Sequence, residues 1–188
     1  MFTAASETFN KRNINASIEE SIERFKPVVR RAHHAGQSIR GYVSTAFWCP
    51  YEGSVAPSKT CEVIGMLLDL GIDEISIGDT LGRAVPDEVR TLLERVLRNL
   101  EPGRAAMHFH DTYGHAIQNI MASLEFDVRR FDASAGGLGG CPYAPGASGN
   151  VATQAVIHAL REAGHELDID LDKLEAAWGV IASHLASE

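Results

Sequence analysis

The chain has 188 residues, of which 45% are hydrophobic and 22% are charged, and its formal net charge is −8. This length and composition predict one soluble globular domain, or part of a larger one, and the acidic balance argues against a nucleic-acid partner. No run of about 20 apolar residues predicts a membrane span, and the first residues lack the basic and apolar regions of a signal peptide. Three widely spaced cysteines favour a reducing compartment over a disulfide framework.

In chain order, short β-rich runs alternate with helical patterns. Strands are predicted at residues 2–5, 39–46, 74–78, 105–110 and 131–135. Helices are predicted at residues 18–35, 57–70, 86–99, 116–126, 151–163 and 171–186. The first helix carries a capping box, Ser17 with Glu20 three residues later, and Pro57 and Pro86 stand where helices begin.

The repeated strand–helix order predicts an α/β fold with a parallel sheet. Either a doubly wound sheet or a (β/α)8 TIM barrel has this order. The first strand is not followed by Gly-x-Gly-x-x-Gly, which weakens a dinucleotide-binding interpretation. Polar residues follow the carboxyl ends of the predicted strands, where a barrel places its active site. These residues are Ser6, Glu7, Ser44, Asp79, Thr80, His108 and His110.

Two histidines alternate on one predicted strand. His108 and His110 are two residues apart, so both side chains face the same way and can bind one metal ion. This interpretation is favoured over two hydrogen-bonded core histidines. Asp79 has two interpretations that remain open, an acid in the site or a loop carboxylate that caps the next turn.

A glycine-rich stretch at residues 136–150 predicts a functional loop. Cys141 within it would be an accessible thiol that can donate or accept a proton. The alternative is a mobile loop with an incidental cysteine. Asn150 stands at the entry of the following helix, where it is either an N-cap or, through its side-chain oxygen, a metal ligand.

Several stretches together resemble one known family. The most specific is the stretch from Gly137 through Cys141 to Asn150. The others are Ala5-Ser6-Glu7-Thr8-Phe9, Asn13-Ile14-Asn15, Arg40-Gly41-Tyr42-Val43-Ser44, Cys49-Pro50-Tyr51-Glu52-Gly53, Gly78-Asp79-Thr80 and His108-Phe109-His110-Asp111-Thr112-Tyr113-Gly114. Over nearly its whole length, the chain resembles the 3-hydroxy-3-methylglutaryl-CoA (HMG-CoA) lyases. Related Claisen-type synthases lack the Gly-Gly-Cys-Pro-Tyr loop.

The resemblance implies a TIM barrel that uses Mg²⁺ or Mn²⁺ to cleave HMG-CoA to acetoacetate and acetyl-CoA, a reaction of leucine degradation and ketone-body formation. By position, it implies that His108, His110 and Asn150 are metal ligands. His108, Cys141 and Asp79 are implied to be catalytic. It further implies an acyl-CoA substrate, a dimer when full length, and a cytoplasmic or, in a eukaryote, mitochondrial-matrix location, without a membrane partner.

The chain also departs from the family. It resembles the C-terminal part, about the last five strand–helix units of one incomplete barrel domain, residues 1–188. We therefore expect the missing N-terminal strands to carry an Arg-Asp pair and a catalytic Glu, and the isolated chain to be inactive. Gln154 stands where the family has Glu. The alternatives are a non-catalytic remnant or partner-binding half-barrel and, more weakly, a related acyl-CoA condensing enzyme or aldolase.

Overall fold

The computed structural model describes residues 1–140 and 149–185. Their strands are, in chain order, β1 (Phe2–Ala4), β2 (Arg40–Ser44), β3 (Trp48–Cys49), β4 (Gly53–Ser54), β5 (Glu74–Asp79), β6 (Ala105–Phe109) and β7 (Arg130–Asp132). Five strands form one sheet in the order β1-β2-β5-β6-β7, and every pair in it is parallel. The strands β3 and β4 form a separate antiparallel hairpin.

The order of the five strands decides between the two predicted architectures. Each strand of the sheet lies beside the strand that precedes it in the chain, so the order never reverses. A doubly wound sheet reverses its order at a switch point, whereas a barrel wall advances in one direction. The doubly wound alternative is therefore wrong, and the prediction of an incomplete barrel is confirmed. Within the described residues, the two edge strands do not pair with each other.

Seven α-helices accompany the described strands. They are α1 (Glu7–Ile14), α2 (Ile18–His34), α3 (Pro57–Asp69), α4 (Pro86–Val96), α5 (Ala116–Leu124), α6 (Thr153–Glu162) and α7 (Leu171–Leu185). The capping box of α2 is confirmed, since Ser17 and Glu20 each accept from the other's backbone N–H. In the described part of the chain, no helix combines the length and apolarity needed to cross a membrane.

Sequence reasoning missed α1 and the β3–β4 hairpin. Helix α1 is short and mostly polar and buries only Phe9 and Asn10, so it has little apolar periodicity to detect. It is held at its start by Ser6, whose hydroxyl accepts from the Phe9 backbone N–H at 3.1 Å. The Glu52 carboxylate in the hairpin accepts from the Thr8 backbone N–H at 2.8 Å. The hairpin and α1 therefore stabilise each other through contacts distant in sequence.

The hydrophobic core lies between the sheet and its helices. Along β5 and β6, the side chains of Ile75, Ile77, Met107 and Phe109 are at most 1% exposed and pack against the helices. Burial of each such side chain is worth about 1.5–3 kcal/mol. A register slip by one residue would move all of them to the other face. The intervening residues, among them His108, therefore face the concave side of the sheet.

The turn after β5 packs closely against the end of β6. Gly82 in this turn has a φ of +67°, and a Cβ there would lie 2.8 Å from the carbonyl oxygen of His110. Helix α3 contains a contrasting glycine, Gly65, where a Cβ would meet no atom within 4 Å. The two glycines thus form a matched pair for testing this close approach.

We expect Gly82→Ala to lower the free energy of unfolding by about 1–3 kcal/mol, because alanine is strained at positive φ and crowds a backbone oxygen. Gly65→Ala should raise it by up to about 1 kcal/mol, because alanine is the better helix former. Urea denaturation of both variants and the parent chain measures the two changes. A Gly82→Ala variant as stable as the parent would contradict the proposed crowding.

Candidate active site

A cavity of about 310 Å³ opens on the concave face of the sheet. Its polar lining comes from the carboxyl-terminal halves of the strands and includes Ser44, Thr80, His108 and His110. Phe2 and Phe9 contribute an apolar wall, together with the aromatic ring of Tyr42. The structure therefore brings together four of the polar residues that follow predicted strands. Glu7, by contrast, accepts from the Ile18 backbone N–H at the start of α2 and is absent from the lining.

His108 and His110 lie side by side in this cavity. Their ring centroids are 5.4 Å apart and the rings are inclined at 54°. The Nδ1 atom of His110 is buried and has no hydrogen-bond partner within the described residues. Burial, and secondarily the neighbouring His108, lower the pKa of His110 to about 4. The imidazole is therefore neutral at neutral pH, with a buried nitrogen available to a ligand.

Asn150 lies next to His110 because the chain returns there after the glycine-rich loop. The two residues form an isolated antiparallel bridge, flanked by hydrogen bonds from the Asp111 N–H to the Gly149 carbonyl (2.8 Å) and from the Val151 N–H to the Phe109 carbonyl (3.3 Å). The Asn150 amide nitrogen donates to the Leu138 carbonyl at 2.9 Å. This bond fixes which side of the amide carries the oxygen.

The N-cap alternative for Asn150 is wrong, because α6 begins three residues later, at Thr153, with Ala152 as its N-cap and no side-chain cap. Two imidazoles and an amide oxygen are a donor set that suits a divalent cation. The unpartnered Nδ1 of His110 is the observation that fits such an ion. Among residues 1–140 and 149–185, no group of three or more His, Cys, Asp or Glu side chains could hold a metal. Any cation here would therefore need further oxygen donors.

Glycines allow the two limbs of the glycine-rich loop, residues 136–140 and 149–150, to pass close to each other beside Asn150. A Cβ on Gly139 would lie 2.6 Å from the Asn150 amide nitrogen, and a Cβ on Gly149 would overlap the Gly139 carbonyl. Cys141 itself lies outside the described residues, so its predicted catalytic role remains a prediction. The described residues on either side of the segment that contains Cys141 lie beside Asn150.

Gln154 holds the start of the same loop. Its side-chain oxygen accepts from the Gly136 backbone N–H at 2.9 Å. Gly136 has a φ of +60°, and a Cβ there would overlap the ring of Trp178 on α7. The residue that departs from the family pattern thus has a structural role here, one that needs an acceptor oxygen and no charge.

Asp79 lies on the opposite face of the sheet from the cavity. It shares the helix-facing parity of Ile75 and Ile77 and is fully buried. Its carboxylate accepts from the backbone N–H groups of Arg83 (3.2 Å) and Ala84 (3.0 Å) in the turn before α4. Burial raises the pKa of Asp79 to about 7, although these N–H groups oppose the rise. These contacts match the capping interpretation, and its catalytic role stays a prediction.

Sequence reasoning missed Asp132, which lies at the end of β7 directly opposite His108 in the parallel register. Its carboxylate accepts from Arg40 Nη1 at 2.7 Å and from Ser76 Oγ at 2.8 Å, and one oxygen lies 3.7 Å from His108 Nδ1. Burial acts to raise the pKa of Asp132, but the nearby His108 imidazole, the Ser76 hydroxyl and the charge of Arg40 outweigh it and lower that pKa to about 2. Alternation with Phe131 was the signal available in the sequence.

Comparison with known proteins identifies close relatives of the chain. The family model described as HMGL-like matches residues 1–181. The cytoplasmic 3-hydroxy-3-methylglutaryl-CoA lyase of Rattus norvegicus is 49% identical over 181 residues, which cover 96% of this chain and 53% of that protein. The hydroxymethylglutaryl-CoA lyase of Pseudomonas mevalonii is 48% identical over 187 residues, which cover 100% of this chain and 62% of that protein. The chain thus spans between half and two thirds of the length of these relatives.

Solved structures agree with the sequence matches. The crystal structure of the HMG-CoA lyase from Brucella melitensis superimposes with a TM-score of 0.95 at 49% identity, over 100% of this chain and 66% of that one. An HMG-CoA lyase from Acinetobacter baumannii in complex with coenzyme A and 3-methylmalate has a TM-score of 0.91 at 36% identity, over 98% of this chain and 60% of that one. The comparisons do not bear out the prediction that the chain matches the C-terminal part of such proteins. They give the fraction of each relative that the chain covers, and this fraction does not say which part of the relative is matched.

The raised pKa of Asp79 predicts how stability depends on pH. Between the ordinary value of 3.8 and about 7, the unfolded chain releases a proton that the folded chain retains. The contribution of Asp79 is therefore fully present below pH 3.8 and is lost as the pH rises through 7. Asp79→Asn should remove this dependence, and its free energy of unfolding relative to the parent chain should increase steadily over that range.

Urea denaturation at several pH values measures the difference. Asp79→Ala serves as the second variant. It also lacks the titrating carboxyl, so its difference from the parent chain should change with pH in the same way. At every pH it should be about 0.5–2 kcal/mol less stable than Asp79→Asn, because it has no acceptor for the turn. A difference between the parent chain and Asp79→Asn that stays constant with pH would contradict the buried-carboxyl account.

Proposed function

Because the chain belongs to the HMGL-like family, we propose that it supplies the metal-binding part of a hydroxymethylglutaryl-CoA lyase active site. The complete site would cleave HMG-CoA to acetoacetate and acetyl-CoA. The observation that carries the proposal is the unpartnered, buried Nδ1 of His110 beside His108 and Asn150. Relatives that are 45–49% identical to this chain carry the name of an HMG-CoA lyase, which supports the reaction class.

The proposed cation ligands in this chain are His108, His110 and Asn150. Two neutral imidazoles and an amide oxygen leave the positive charge of the ion uncompensated, which favours binding of an anionic or alkoxide oxygen from the substrate. A bound Mg²⁺ or Mn²⁺ would act as a Lewis acid that lowers the pKa of the substrate's C3 hydroxyl. The cavity beside the histidines, about 310 Å³ in volume, is where this end of the substrate would lie.

The proposed cleavage includes two proton transfers, one before and one after the C–C bond breaks. A base takes the proton of the C3 hydroxyl, and the electrons of the breaking C–C bond pass to the acetyl-CoA enolate. His108 borders the cavity and is proposed both as a metal ligand and as a catalytic residue. Its neutral imidazole has one nitrogen lone pair, so at any one time it binds either the cation or a proton. Cys141 is the proposed acid that protonates the enolate carbon. Phe2 and Phe9 line the cavity and would exclude water from the enolate.

We propose that residues 1–188 form one partial barrel domain that is inactive alone. Five parallel strands are present in the sheet, whereas a TIM barrel closes with eight. Within residues 1–140 and 149–185, the two edge strands of the sheet do not pair with each other, so the wall around the cavity is incomplete there. Completion of the barrel would supply the rest of the wall and further ligands. The complete protein would then use an acyl-CoA substrate, as the coenzyme A bound to one relative suggests, and would form a dimer.

The proposed location is the cytoplasm, or the mitochondrial matrix in a eukaryote. Relatives with names of both kinds support it. The competing proposal is a non-catalytic half-barrel that binds a partner along its open edges. The edges alone do not favour it, because they serve equally well to complete an enzyme. Metal binding separates the two proposals, since a half-barrel retained only for a partner has no need of it.

The chain should bind Mn²⁺ in solution, and His110→Ala should weaken this binding by at least about tenfold, because it removes a ligand and one tenfold step corresponds to about 1.4 kcal/mol. Isothermal titration calorimetry with MnCl₂ measures the affinity without any assay of activity. The matched control is His158→Ala, which removes an exposed histidine on α6 that is not among the proposed ligands. Equal Mn²⁺ affinities of the parent chain and His110→Ala would contradict the proposed metal centre.

The isolated chain should release no acetoacetate from HMG-CoA with Mg²⁺ or Mn²⁺ in a coupled assay, because its barrel is open. A chimera in which this chain replaces the matching part of a complete HMG-CoA lyase should be active. In that chimera, Cys141→Ala should lower kcat by about 10²–10⁴-fold, the usual contribution of a general acid.

Gln154→Glu in the chimera tests the departure from the family pattern. Its carboxylate can still accept from Gly136, so any gain in kcat reports the charge alone. Metal-dependent acetoacetate release by the isolated chain would refute the need for a completed barrel. Near-parental turnover of Cys141→Ala would remove Cys141 from the mechanism.

A further inference from the structure

We propose that Asp132 is a positioning residue that holds His108 in the tautomer with the proton on Nδ1, so that Nε2 is the nitrogen presented to the cavity. The inference deepens the proposed function and rests on it for the identity of the ligand that Nε2 meets. Its geometric part, the tautomer of His108, stands independently of that ligand.

The register of the sheet places the two side chains together. His108 and Asp132 are direct Cα partners in the parallel pair β6–β7. Both point to the concave face, because the residue next to each one along its strand, Phe109 on β6 and Phe131 on β7, packs against the core. One Asp132 oxygen lies 3.7 Å from His108 Nδ1. This separation is longer than a hydrogen bond, so the proposal requires the imidazole to move towards the carboxylate.

Asp132 is itself held from two other strands. Ser76 on β5 donates to its Oδ2 at 2.8 Å, and Arg40 on β2 donates to its Oδ1 at 2.7 Å. Arg40 also forms an ion pair with Glu74, which in turn contacts Arg130 at 3.4 Å. The carboxylate is therefore fixed in place and kept charged by partners on β2 and β5. A fixed, charged acceptor is what a donor N–H of an imidazole needs for a defined orientation.

The other neighbour of His108 does not compete for the Nδ1 proton. His110 lies 5.4 Å away between ring centroids, and its own Nδ1 has no partner within the described residues. The carboxylate of Asp132 is the acceptor on the Nδ1 side of His108. A protonated Nδ1 leaves the lone pair on Nε2, which is the atom that can bind a cation or take up a proton.

The first test is the ¹⁵N chemical shifts of the histidine side chains in the metal-free chain at pH 8, measured by long-range ¹H–¹⁵N correlation. His108 should show the pattern of an Nδ1–H, Nε2-lone-pair tautomer. A His108→Gln variant assigns the signals. The Nε2–H pattern, or an even mixture of the two tautomers, in the parent chain would refute the proposal without any variant of Asp132.

The second test compares Asp132→Asn with the control Asp127→Asn. The Asp127 carboxylate lies in an exposed turn and pairs with Arg129 at 2.9 Å. Asp132→Asn should shift His108 towards the Nε2–H tautomer and weaken Mn²⁺ binding by about 10–100-fold, as losses of such supporting carboxylates do. Asp127→Asn should change neither. Unchanged tautomer and Mn²⁺ affinity in a folded Asp132→Asn chain would refute the positioning role.

Asp132→Asn also removes one of the two carboxylates that pair with Arg40, so Ser76→Ala provides a variant that disturbs the fold less. Ser76→Ala removes one of the bonds that hold the carboxylate and should give an intermediate mixture of His108 tautomers. An unchanged tautomer in Ser76→Ala alongside a changed one in Asp132→Asn supports a role for Asp132 through Arg40 alone. If the parent chain binds no Mn²⁺, the proposed function fails, while the tautomer measurements still decide the role of Asp132.

Discussion

The alternation of side chains along β5, β6 and β7 is the constraint on which the rest of the site depends. The helix-facing residues of β5 and β6 are among the most buried in the chain. They tolerate no slip of register, because one step would expose several large apolar side chains and bury His108 and Asp132 among the helices. The hydrophobic core therefore determines, through backbone geometry alone, which polar groups reach the concave face. The polar residues of the site take their positions from the core behind them.

Close packing of backbone segments also positions the residues around the candidate site. The turn at Gly82 packs against the carbonyl of His110, and the limbs of the loop cross at Gly139 and Gly149. Each approach requires a residue without a Cβ. These three glycines surround the end of β6 and the return of the chain at Asn150. Rigid contacts of this kind can place an amide oxygen near an imidazole with a precision that an open loop does not have.

Much of this arrangement could be predicted from the sequence. The period of two correctly placed His108 and His110 on one face, and the strand–helix order gave a parallel α/β fold. The same period also assigns Asp79 to the face of Ile75 and Ile77, but its position at the end of a strand drew attention to the cavity instead. Asp132 follows the same rule as His108. It could have been recognised by its alternation with Phe131 on the last predicted strand.

Other features had no signal in the sequence. Helix α1 and the β3–β4 hairpin depend on contacts such as that of Glu52 with Thr8, 44 residues apart. Propensity and periodicity describe neighbours along the chain and cannot report such pairs. The return of Asn150 beside His110 likewise depends on two glycine limbs crossing. The sequence identified Asn150 as a ligand or an N-cap, and only the three-dimensional path of the chain decided against the N-cap.

The bond between Arg40 and Asp132 has a consequence for the shape of the sheet. It joins β2 to β7 across the two strands between them. In a flat sheet these strands would be about 14 Å apart, which is three strand spacings. The side chains of an arginine and an aspartate can span that gap only if the sheet bends towards them. The ion pair therefore connects two strands of a curved sheet across its concave face. A closed barrel is curved because its strands form a complete ring. In the five strands described here, the Arg40–Asp132 ion pair supports the curvature of the sheet, and the cavity on the concave face forms without a complete ring.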